Sequence, residues 1–299
     1  MFFAPSSARA LRARTNLVSF ALFLALAGAT PQVIGGQVVR IAPKASACDA
    51  GLVDAALEAS DLKDAGKLME AEVGKIYAQT QQTMHALRRP LPNGEHERVL
   101  GMMQQAFAAD ALNLEIQRSM KTHCEPKVFA SAVEQLHTPL AIKFRGFEND
   151  FNRSRSPAAI NRYATSLQQH PPTQTRELLI EAFEKTVHAA DVEADIVAQM
   201  VLALYMGLTS QATDDNQFGT IRDQLLPPVR QITRIEQLMT YRTASDEELD
   251  QYIMLLRTTE LQRFLTICKT AFQDAVVRRS QVLAAMLKQH IDEARAGRH

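Results

Sequence analysis

The chain contains no tryptophan, and glycine is also scarce, at 12 of 299 residues. Runs of β-branched residues, which favour strands, are rare as well. Apolar residues nevertheless make up 46% of the sequence and charged residues 22%, so there is enough apolar material for a sizeable core, and disorder is not expected. The composition predicts an all-α, multi-helix bundle-like array whose length fits one large domain or two modest ones.

Motifs of the common enzyme classes are missing too. The sequence has no G-x-S-x-G, H-E-x-x-H or C-x-x-C motif and no phosphate-binding glycine loop. These absences argue against the commonest hydrolases and redox enzymes, but they do not exclude a catalytic site with an unfamiliar motif. We therefore predict no catalytic residues, no cofactor and no metal, and we favour a non-enzymatic protein.

Acidic residues are absent from the first 47 positions. Three arginines precede the apolar run from Leu17 to Ala29, which ends in Ala27-Gly28-Ala29. A basic segment, a short apolar stretch and an Ala-x-Ala site are typical of a secretory signal peptide, and a run of 13 residues is short for a membrane span. We predict a signal peptide over residues 1–29 and a flexible segment over residues 30–47.

Two alternatives stay open for this leader. Cleavage could instead follow the second Ala-Ser-Ala site, which ends at Ala47, or the apolar run could continue through Ile41 as an uncleaved anchor. Polar residues and glycines between positions 32 and 37 weaken such an anchor.

The predicted mature chain is mildly acidic. Cleavage after Ala29 removes three arginines and leaves 30 basic against 33 acidic side chains, a net charge of −3. Because charges of both signs are well mixed, there is no basic field to hold nucleic acid. We expect a periplasmic protein that does not insert stably into the membrane after cleavage, and its oligomeric state stays open.

Three cysteines matter in an exported protein, because it meets oxidising conditions. Cys48 and Cys124 lie at the edges of segments among polar residues, whereas Cys268 lies within an apolar helical pattern. We predict a disulfide between Cys48 and Cys124 and a buried, unpaired Cys268. Three free thiols are the alternative.

One stretch of the chain recurs. Residues 128–151 resemble residues 249–272 at an offset of 120 positions, and each reads as an apolar helix, a threonine and a second helix with a basic residue before phenylalanine. The matching pairs are Val133 with Ile253, Leu136 with Leu256, Thr138 with Thr258, Lys143 with Arg263, and Phe144 with Phe264. A recurring unit usually sets the architecture of a chain, so we predict an internal pseudo-duplication with the aromatic residues in the core.

This prediction divides the chain into helical units. The first unit would cover residues 48–151, a connecting helix and turn residues 152–175, and the second unit residues 176–299. Thr138-Pro139 predicts a helix start by a threonine cap and an N1 proline, and Ser245 with Glu248 predicts a capping box. Ser60 is a candidate N-cap for the helix after it, and Pro227-Pro228 predicts a helix break.

The first copy also resembles a known family. Thr138-Pro139-Leu140-Ala141-Ile142-Lys143-Phe144 is similar to the T-P-x-G-x-K motif of the bacterial exported domain-of-unknown-function family 2059, with Ala141 in place of glycine. The second copy departs further, with Thr259 in place of the proline, and both copies lack the aromatic pair before the threonine. The resemblance implies an exported helical protein and carries over no catalytic residue. We interpret Lys143 and Arg263 as groups that pair with a carboxylate or cover apolar surface.

Other polar groups have ordinary interpretations. His123-Cys124-Glu125 and Glu95-His96-Glu97 hold side chains that bind metals, but we interpret them as a disulfide cysteine among surface residues and as a loop. Asp61, Asp64, Glu70 and Glu72 are expected on the solvated face of one amphipathic helix.

Two functional hypotheses follow. The favoured one is a cell-envelope protein that binds a protein or peptide partner, and an exposed apolar groove would support it. The alternative is an enzyme or small-ligand-binding protein with a pocket between the helical units. Such a site should show converging buried polar groups with perturbed ionisation.

Overall fold

A computed structural model describes residues 48–86, 94–209 and 215–296. The predicted signal peptide, its cleavage sites and the segment 30–47 lie outside these residues. Within the described ranges the chain forms twelve α-helices, one short 3₁₀ helix and no strand, which confirms the all-α prediction.

The helices are numbered in chain order. They are α1 (Ala50–Ala59), α2 (Ala65–Ala86), α3 (His96–Ala106), α4 (Ala109–Thr122), α5 (Pro126–Leu136), α6 (Pro139–Ser154), α7 (Pro157–Gln169), α8 (Gln174–Val187), α9 (Ala189–Thr209), α10 (Asp215–Thr240), α11 (Asp246–Leu256) and α12 (Thr259–Ala296), with the 3₁₀ helix at Leu62–Asp64 between α1 and α2.

Two of the three predicted helix starts are confirmed. The Thr138 side chain accepts a hydrogen bond from the Ala141 amide at the start of α6, where Pro139 occupies the first turn. Ser245 and Glu248 form the predicted capping box of α11. The Ser60 prediction was wrong: Ser60 ends α1, and its hydroxyl donates to the Ala56 carbonyl at 2.8 Å. A threonine or serine can bond back to its own helix as readily as it can start a new one.

The predicted break at Pro227-Pro228 was also wrong, because α10 continues through both prolines. Each proline removes one backbone N–H from the helix, but the apolar stripe of Ile221, Leu225 and Val229 stays buried on both sides of them. Helix α10 packs along α9, and this packing outweighs the local cost of the prolines.

Helices α12 and α9 form the centre of the fold. The 38-residue α12 packs against α3, α4, α5 and α9. Helix α9 is buried on nearly every side, and Gly207 lets it approach α12, since a Cβ atom there would lie 2.6 Å from the Cβ of Leu287. Buried residues from both predicted helical units belong to one contiguous cluster.

The disulfide prediction is confirmed. Cys48 and Cys124 are bonded with their Cα atoms 6.2 Å apart, which ties the chain before α1 to the end of α4. Cys268 is buried in α12 without a disulfide partner, as expected. Burial raises the pKa of its thiol to about 12, so this cysteine is an inert part of the core.

The two similar stretches form helix pairs whose helices start at matching positions. Helices α5 and α11 cover residues 126–136 and 246–256, and α6 and α12 begin at residues 139 and 259, so the offset of 120 holds for each. Helix α5 packs on α12, and α11 packs on α6. Common ancestry of the two pairs remains a prediction, since matching helix starts alone do not establish it.

No helix formed by residues 48–86, 94–209 or 215–296 is both long enough and apolar enough to cross a membrane.

Candidate functional site

Four glutamates from four helices are buried together inside the molecule. Glu193 of α9 is 2% exposed, Glu236 of α10 is 1% exposed and Glu72 of α2 is 7% exposed. Glu184, in the last turn of α8, is largely buried beside them. We call this set the carboxyl cluster. Burying carboxyl groups is costly unless they are paired or neutralised, so the cluster needs a physical explanation.

Glu193 has the least support of the four. Neither of its carboxyl oxygens has a hydrogen-bond partner among the described residues. Burial raises its pKa well above the usual range, and the nearby Glu236, Glu184 and Glu72 raise it further, while Arg155 acts in the opposite direction. These surroundings therefore favour the protonated form of the side chain.

Glu72 has cationic partners. Its Oε1 atom lies 3.1 Å from the Arg155 guanidinium, which is itself only 10% exposed, and 2.7 Å from the Lys75 ammonium. Its Oε2 atom has no hydrogen-bond partner among the residues that the structure describes. The sequence-based placement of Glu72 on a solvated face was wrong, because Arg155, 83 positions later, meets it in the interior. Asp64 and Glu70 are exposed, as expected, and Asp61 is half-buried.

Glu184 connects the cluster to the outside. One of its oxygens accepts a hydrogen bond from the Ala190 amide at 2.9 Å and so caps the start of α9, where a carboxylate is favoured by the helix dipole. The other oxygen accepts a hydrogen bond from the Gln237 amide group at 2.5 Å. Burial raises the pKa of Glu184, and the hydrogen bonds from Ala190 and Gln237 act against that increase.

Helix α10 adds neutral polar atoms to the same region. Thr233, Glu236 and Gln237 are buried and lie on one face of the helix, at spacings of three and four residues. The Thr233 hydroxyl and the Gln237 side-chain oxygen have no hydrogen-bond partner among the described residues. Buried polar atoms without partners are rare in folded proteins and often mark the place of a water or a ligand.

A cleft between α8 and α10 reaches this region. It encloses about 350 Å³, and its polar lining includes Glu184, Arg230 and the fully buried Gln237. Ile180 and Leu178 provide apolar wall, and Leu178 is 58% exposed. At the mouth, Arg234 of α10 forms an ion pair with Glu177 of α8.

Two larger surface cavities are lined by side chains that already have partners. The first, of about 490 Å³, contains Arg176, whose guanidinium is bonded to Asp246 and to the carbonyls of Tyr241 and Ala244. The second, of about 450 Å³, lies between α1 and α4 and is lined by Asp54 and Gln117, which are bonded to each other. Neither cavity ends in a buried polar atom without a partner, so the α8–α10 cleft is the better candidate site.

The other acidic residues of α9, unlike Glu193, form ion pairs with a basic side chain. Asp191 and Asp195 each lie 2.6 Å from the Arg222 guanidinium, and Gln273 donates a further hydrogen bond to Asp195 at 2.8 Å. The His188 ring, whose Nδ1 lies 3.8 Å from Asp191, and then the contact with Arg222 lower the pKa of Asp191 to about 2 despite its partial burial. These carboxylates stabilise helix packing, whereas Glu193, between them in the sequence, has no such partner.

A separate buried network surrounds Glu148 of α6. The Tyr241 hydroxyl donates a hydrogen bond to Glu148 at 2.6 Å, and Phe144 stacks on Tyr252 with ring centroids 4.2 Å apart. Burial raises the pKa of Glu148 to about 8, with a smaller contribution from Asp61 in the same direction. This network opens to none of the three cavities described above, so we assign it a structural role.

The residues of the recurring motif lie away from the cleft. Lys143 forms an ion pair with Glu248, and Arg263 forms one with Glu125, so each basic residue contacts the helix pair of the other stretch. Phe144 and Phe264 are fully buried. The Thr258 hydroxyl donates to Gln135 at 2.8 Å.

The remaining sequence candidates are dispersed. The His123 ring lies 3.7 Å from Asp274, and the His96 ring is 3.1 Å from the Tyr77 hydroxyl. In the part of the chain that the structure describes, no three histidine, cysteine, aspartate or glutamate side chains are placed to hold a metal ion together.

Comparisons with known protein families, curated proteins and solved structures find no match to this chain. The resemblance to the domain-of-unknown-function family 2059 therefore stays a prediction.

Proposed function

We propose that this chain is an exported, non-enzymatic binding protein whose ligand is a small molecule held in the α8–α10 cleft. The observation that carries the proposal is the polar lining of the cleft, where the fully buried Gln237 has a side-chain oxygen without a partner among the described residues, beside the largely buried Glu184. Small-molecule sites are typically concave and largely apolar, with a few converging polar groups.

Export to the periplasm is the second part of the proposal. It is supported by the basic and apolar leader of the sequence and by the Cys48–Cys124 disulfide, since such bonds persist in oxidising compartments. We also propose that the α5–α6 and α11–α12 pairs are two copies of one helix pair. The equal offset of their helix starts and their reciprocal ion pairs support this interpretation.

The protein or peptide partner that the sequence favoured stays a prediction. A peptide helix or strand needs a groove several residues long, whereas the cleft encloses about 350 Å³. A small molecule fits these dimensions better.

Ligand-induced stabilisation tests the proposal. The predicted mature chain, residues 30–299, is heated with a panel of cationic, neutral and anionic small molecules, and a ligand of the folded state raises the melting temperature. Gln237→Met removes the unpartnered oxygen and keeps the side-chain length. Gln251→Met makes the same change on the exposed face of α11 and serves as the control.

We expect at least one compound to stabilise the wild type and the Gln251→Met control while losing most of its effect on Gln237→Met. A second cleft variant, Leu178→Arg, changes an exposed side chain and covers the case in which Gln237→Met does not fold. A panel without any stabilising compound, or stabilisation that neither cleft variant reduces, would contradict the proposed function.

A further inference from the structure

We propose that the ligand of the α8–α10 cleft is a small amino acid, whose ammonium group is bound by Glu184 and Gln237 and whose carboxylate is bound by Arg230. This inference rests on the proposed binding function and adds the chemical class of the ligand. All three side chains line the cleft. The chemistry that they recognise is an ammonium and a carboxylate on one short aliphatic body, which α-amino acids share with amino acids whose charges lie further apart.

Several charged side chains at the cleft already compensate each other. Arg234 of α10 donates two hydrogen bonds to the Glu177 carboxylate of α8, and the Glu181 carboxylate lies 2.6 Å from the Lys185 ammonium. These two ion pairs leave no net charge for a ligand to neutralise. Two charged groups of the lining remain, one acidic and one basic, and they belong to different helices.

Glu184 of α8 is the acidic group that remains. Its oxygens accept hydrogen bonds from the Ala190 amide and the Gln237 side chain, which are both neutral donors, and it forms no ion pair with another described residue. Of the charged groups near it, Asp191 raises its pKa and His188 acts in the opposite direction. A nearby positive charge stabilises a largely buried carboxylate, and the ammonium group of a ligand supplies that charge.

The Gln237 side chain adds a hydrogen-bond acceptor whose orientation is determined by Glu184. Gln237 is fully buried, and its amide nitrogen donates to the Glu184 carboxyl group at 2.5 Å. The reversed amide would place two acceptor oxygens against each other, so the amide oxygen is the atom left without a hydrogen-bond partner among the described residues. A primary ammonium has three N–H donors. It can therefore donate to this oxygen and to Glu184 at the same time.

Arg230 of α10 is the basic group that remains. Its contact with the Asp191 carboxylate is long, at 3.7 Å, and the Arg222 guanidinium already lies 2.6 Å from the same Asp191 oxygen. Arg230 donates no hydrogen bond to another described residue, and its side chain is 58% exposed. A guanidinium binds a carboxylate through two parallel hydrogen bonds. Arg230 therefore offers the cleft a place for the carboxylate of a ligand.

The spacing along α10 requires a ligand with two charges rather than one. Arg230 and Gln237 lie on one face of the helix, two turns apart, which is about 10 Å along its axis. A purely anionic ligand would add negative charge beside Glu184, and a purely cationic one would leave Arg230 uncompensated. Leu178 and Ile180 provide apolar wall for the methylene groups of an amino acid, and a cleft of about 350 Å³ is at the small end of the range for ligand sites.

Isothermal titration calorimetry of residues 30–299 at pH 7, with probes of one chain length, tests the inference. Norvaline and 5-aminopentanoate carry both charges, adjacent in the first and separated in the second, whereas n-pentylammonium and pentanoate carry one charge each. Arg230→Met removes the guanidinium and keeps an apolar stem, and Gln237→Met removes the unpartnered oxygen. Arg153→Met, at an exposed ion pair on α6, and Gln251→Met, on the exposed face of α11, are the matched controls.

We expect one of the doubly charged probes to bind about ten times more tightly than either singly charged probe. Arg230→Met should weaken that probe by about the same factor and leave n-pentylammonium nearly unchanged, whereas Gln237→Met should weaken both. The two controls should bind as the wild type does. The preferred probe distinguishes an α-amino acid from one with separated charges. If Gln237→Met does not fold, Arg230→Met still provides the test, because it changes an exposed side chain.

The outcomes separate the inference from the proposed function. Equal or tighter binding of n-pentylammonium or pentanoate, lost in Gln237→Met, would overturn the amino acid and keep the cleft as a binding site. The same holds if a compound of the stabilisation panel binds in the cleft and none of the four probes does. A doubly charged probe whose affinity is the same in Arg230→Met would overturn the carboxylate site. If neither the probes nor the panel compounds bind, the proposed function fails as well.

Discussion

Replacing Glu148 by glutamine should remove a pH-dependent loss of stability. In the folded protein the pKa of Glu148 is about 8, whereas the value for an accessible glutamate is 4.5, and the first cause is burial. The folded state therefore holds a proton that the unfolded chain has released between these two pH values. Because the folded state binds more protons, the free energy of unfolding falls as the pH rises through this interval.

The size of the effect follows from the same interval. A difference in bound protons of one group changes stability by at most about 1.4 kcal/mol per pH unit, so the span from pH 4.5 to about 8 corresponds to an upper limit of roughly 5 kcal/mol. Glu148→Gln has no proton to lose and keeps an acceptor for the Tyr241 hydroxyl. The stability of the variant relative to the wild type should rise by about 1 kcal/mol for each pH unit between pH 5 and pH 7.5.

Urea unfolding at pH 5, 6, 7 and 7.5 measures this difference. Asp150→Asn is the matched control, because Asp150 lies on the same helix in an exposed ion pair with Arg153, and such pairs contribute little to stability. Other buried carboxyl groups, Glu193 among them, affect all three proteins equally and cancel in the comparison. Parallel pH profiles for the wild type and Glu148→Gln would refute the reasoning.

Three further predictions concern stability. Reducing the disulfide, or replacing both Cys48 and Cys124 by alanine, should lower the free energy of unfolding in urea by about 4 kcal/mol, because the bond closes a loop of 76 residues in the unfolded chain. Equal unfolding midpoints with and without reductant would contradict this. Phe144→Ala and Phe264→Ala should each cost about 3–5 kcal/mol, since both rings are fully buried, and an unchanged melting temperature for both would argue against their place in the core. Glu193→Met should raise the free energy of unfolding by about 1–3 kcal/mol, since it removes a buried carboxyl without partners among the described residues. A less stable variant would show that the carboxyl supports the fold.

The helices with local signals were predictable from the sequence. Pro126, Thr138-Pro139 and the Ser245 capping box each mark the start of a helix, and these devices act within one turn of the chain. The disulfide was predictable because the polar surroundings of Cys48 and Cys124 differ from the apolar surroundings of Cys268.

Elements that depend on packing were not predictable in the same way. The two prolines of α10 carry a strong local signal for a break, yet the helix continues because its buried stripe packs along α9. Serine is a residue type typical of N-caps, but Ser60 lies at the end of α1, where its hydroxyl donates a hydrogen bond to the Ala56 carbonyl. In each case the residue type is compatible with two local structures, and contacts with the neighbouring helix or turn determine which one forms.

The candidate site was missed for a related reason. Glu72 follows the polar spacing of an amphipathic helix, and nothing near it in the sequence indicates that Arg155 will meet it. Glu193 did carry a signal, since it lies in a helix whose other residues are mostly apolar and a helix that is apolar all round is buried. Weighing that position would have identified a buried carboxyl, although not its neighbours.

The sequence by itself determined the all-α class, the start of several helices and the choice of cysteine partners, because these depend on composition and on contacts within a few residues. The tertiary structure alone decided that glutamates from α2, α8, α9 and α10 come together in the interior and that one of them, Glu184, also lines a cleft. The ionisation of a carboxyl group depends on its solvation and on charges within several ångströms, and those neighbours come from positions up to 164 residues apart, between Glu72 and Glu236.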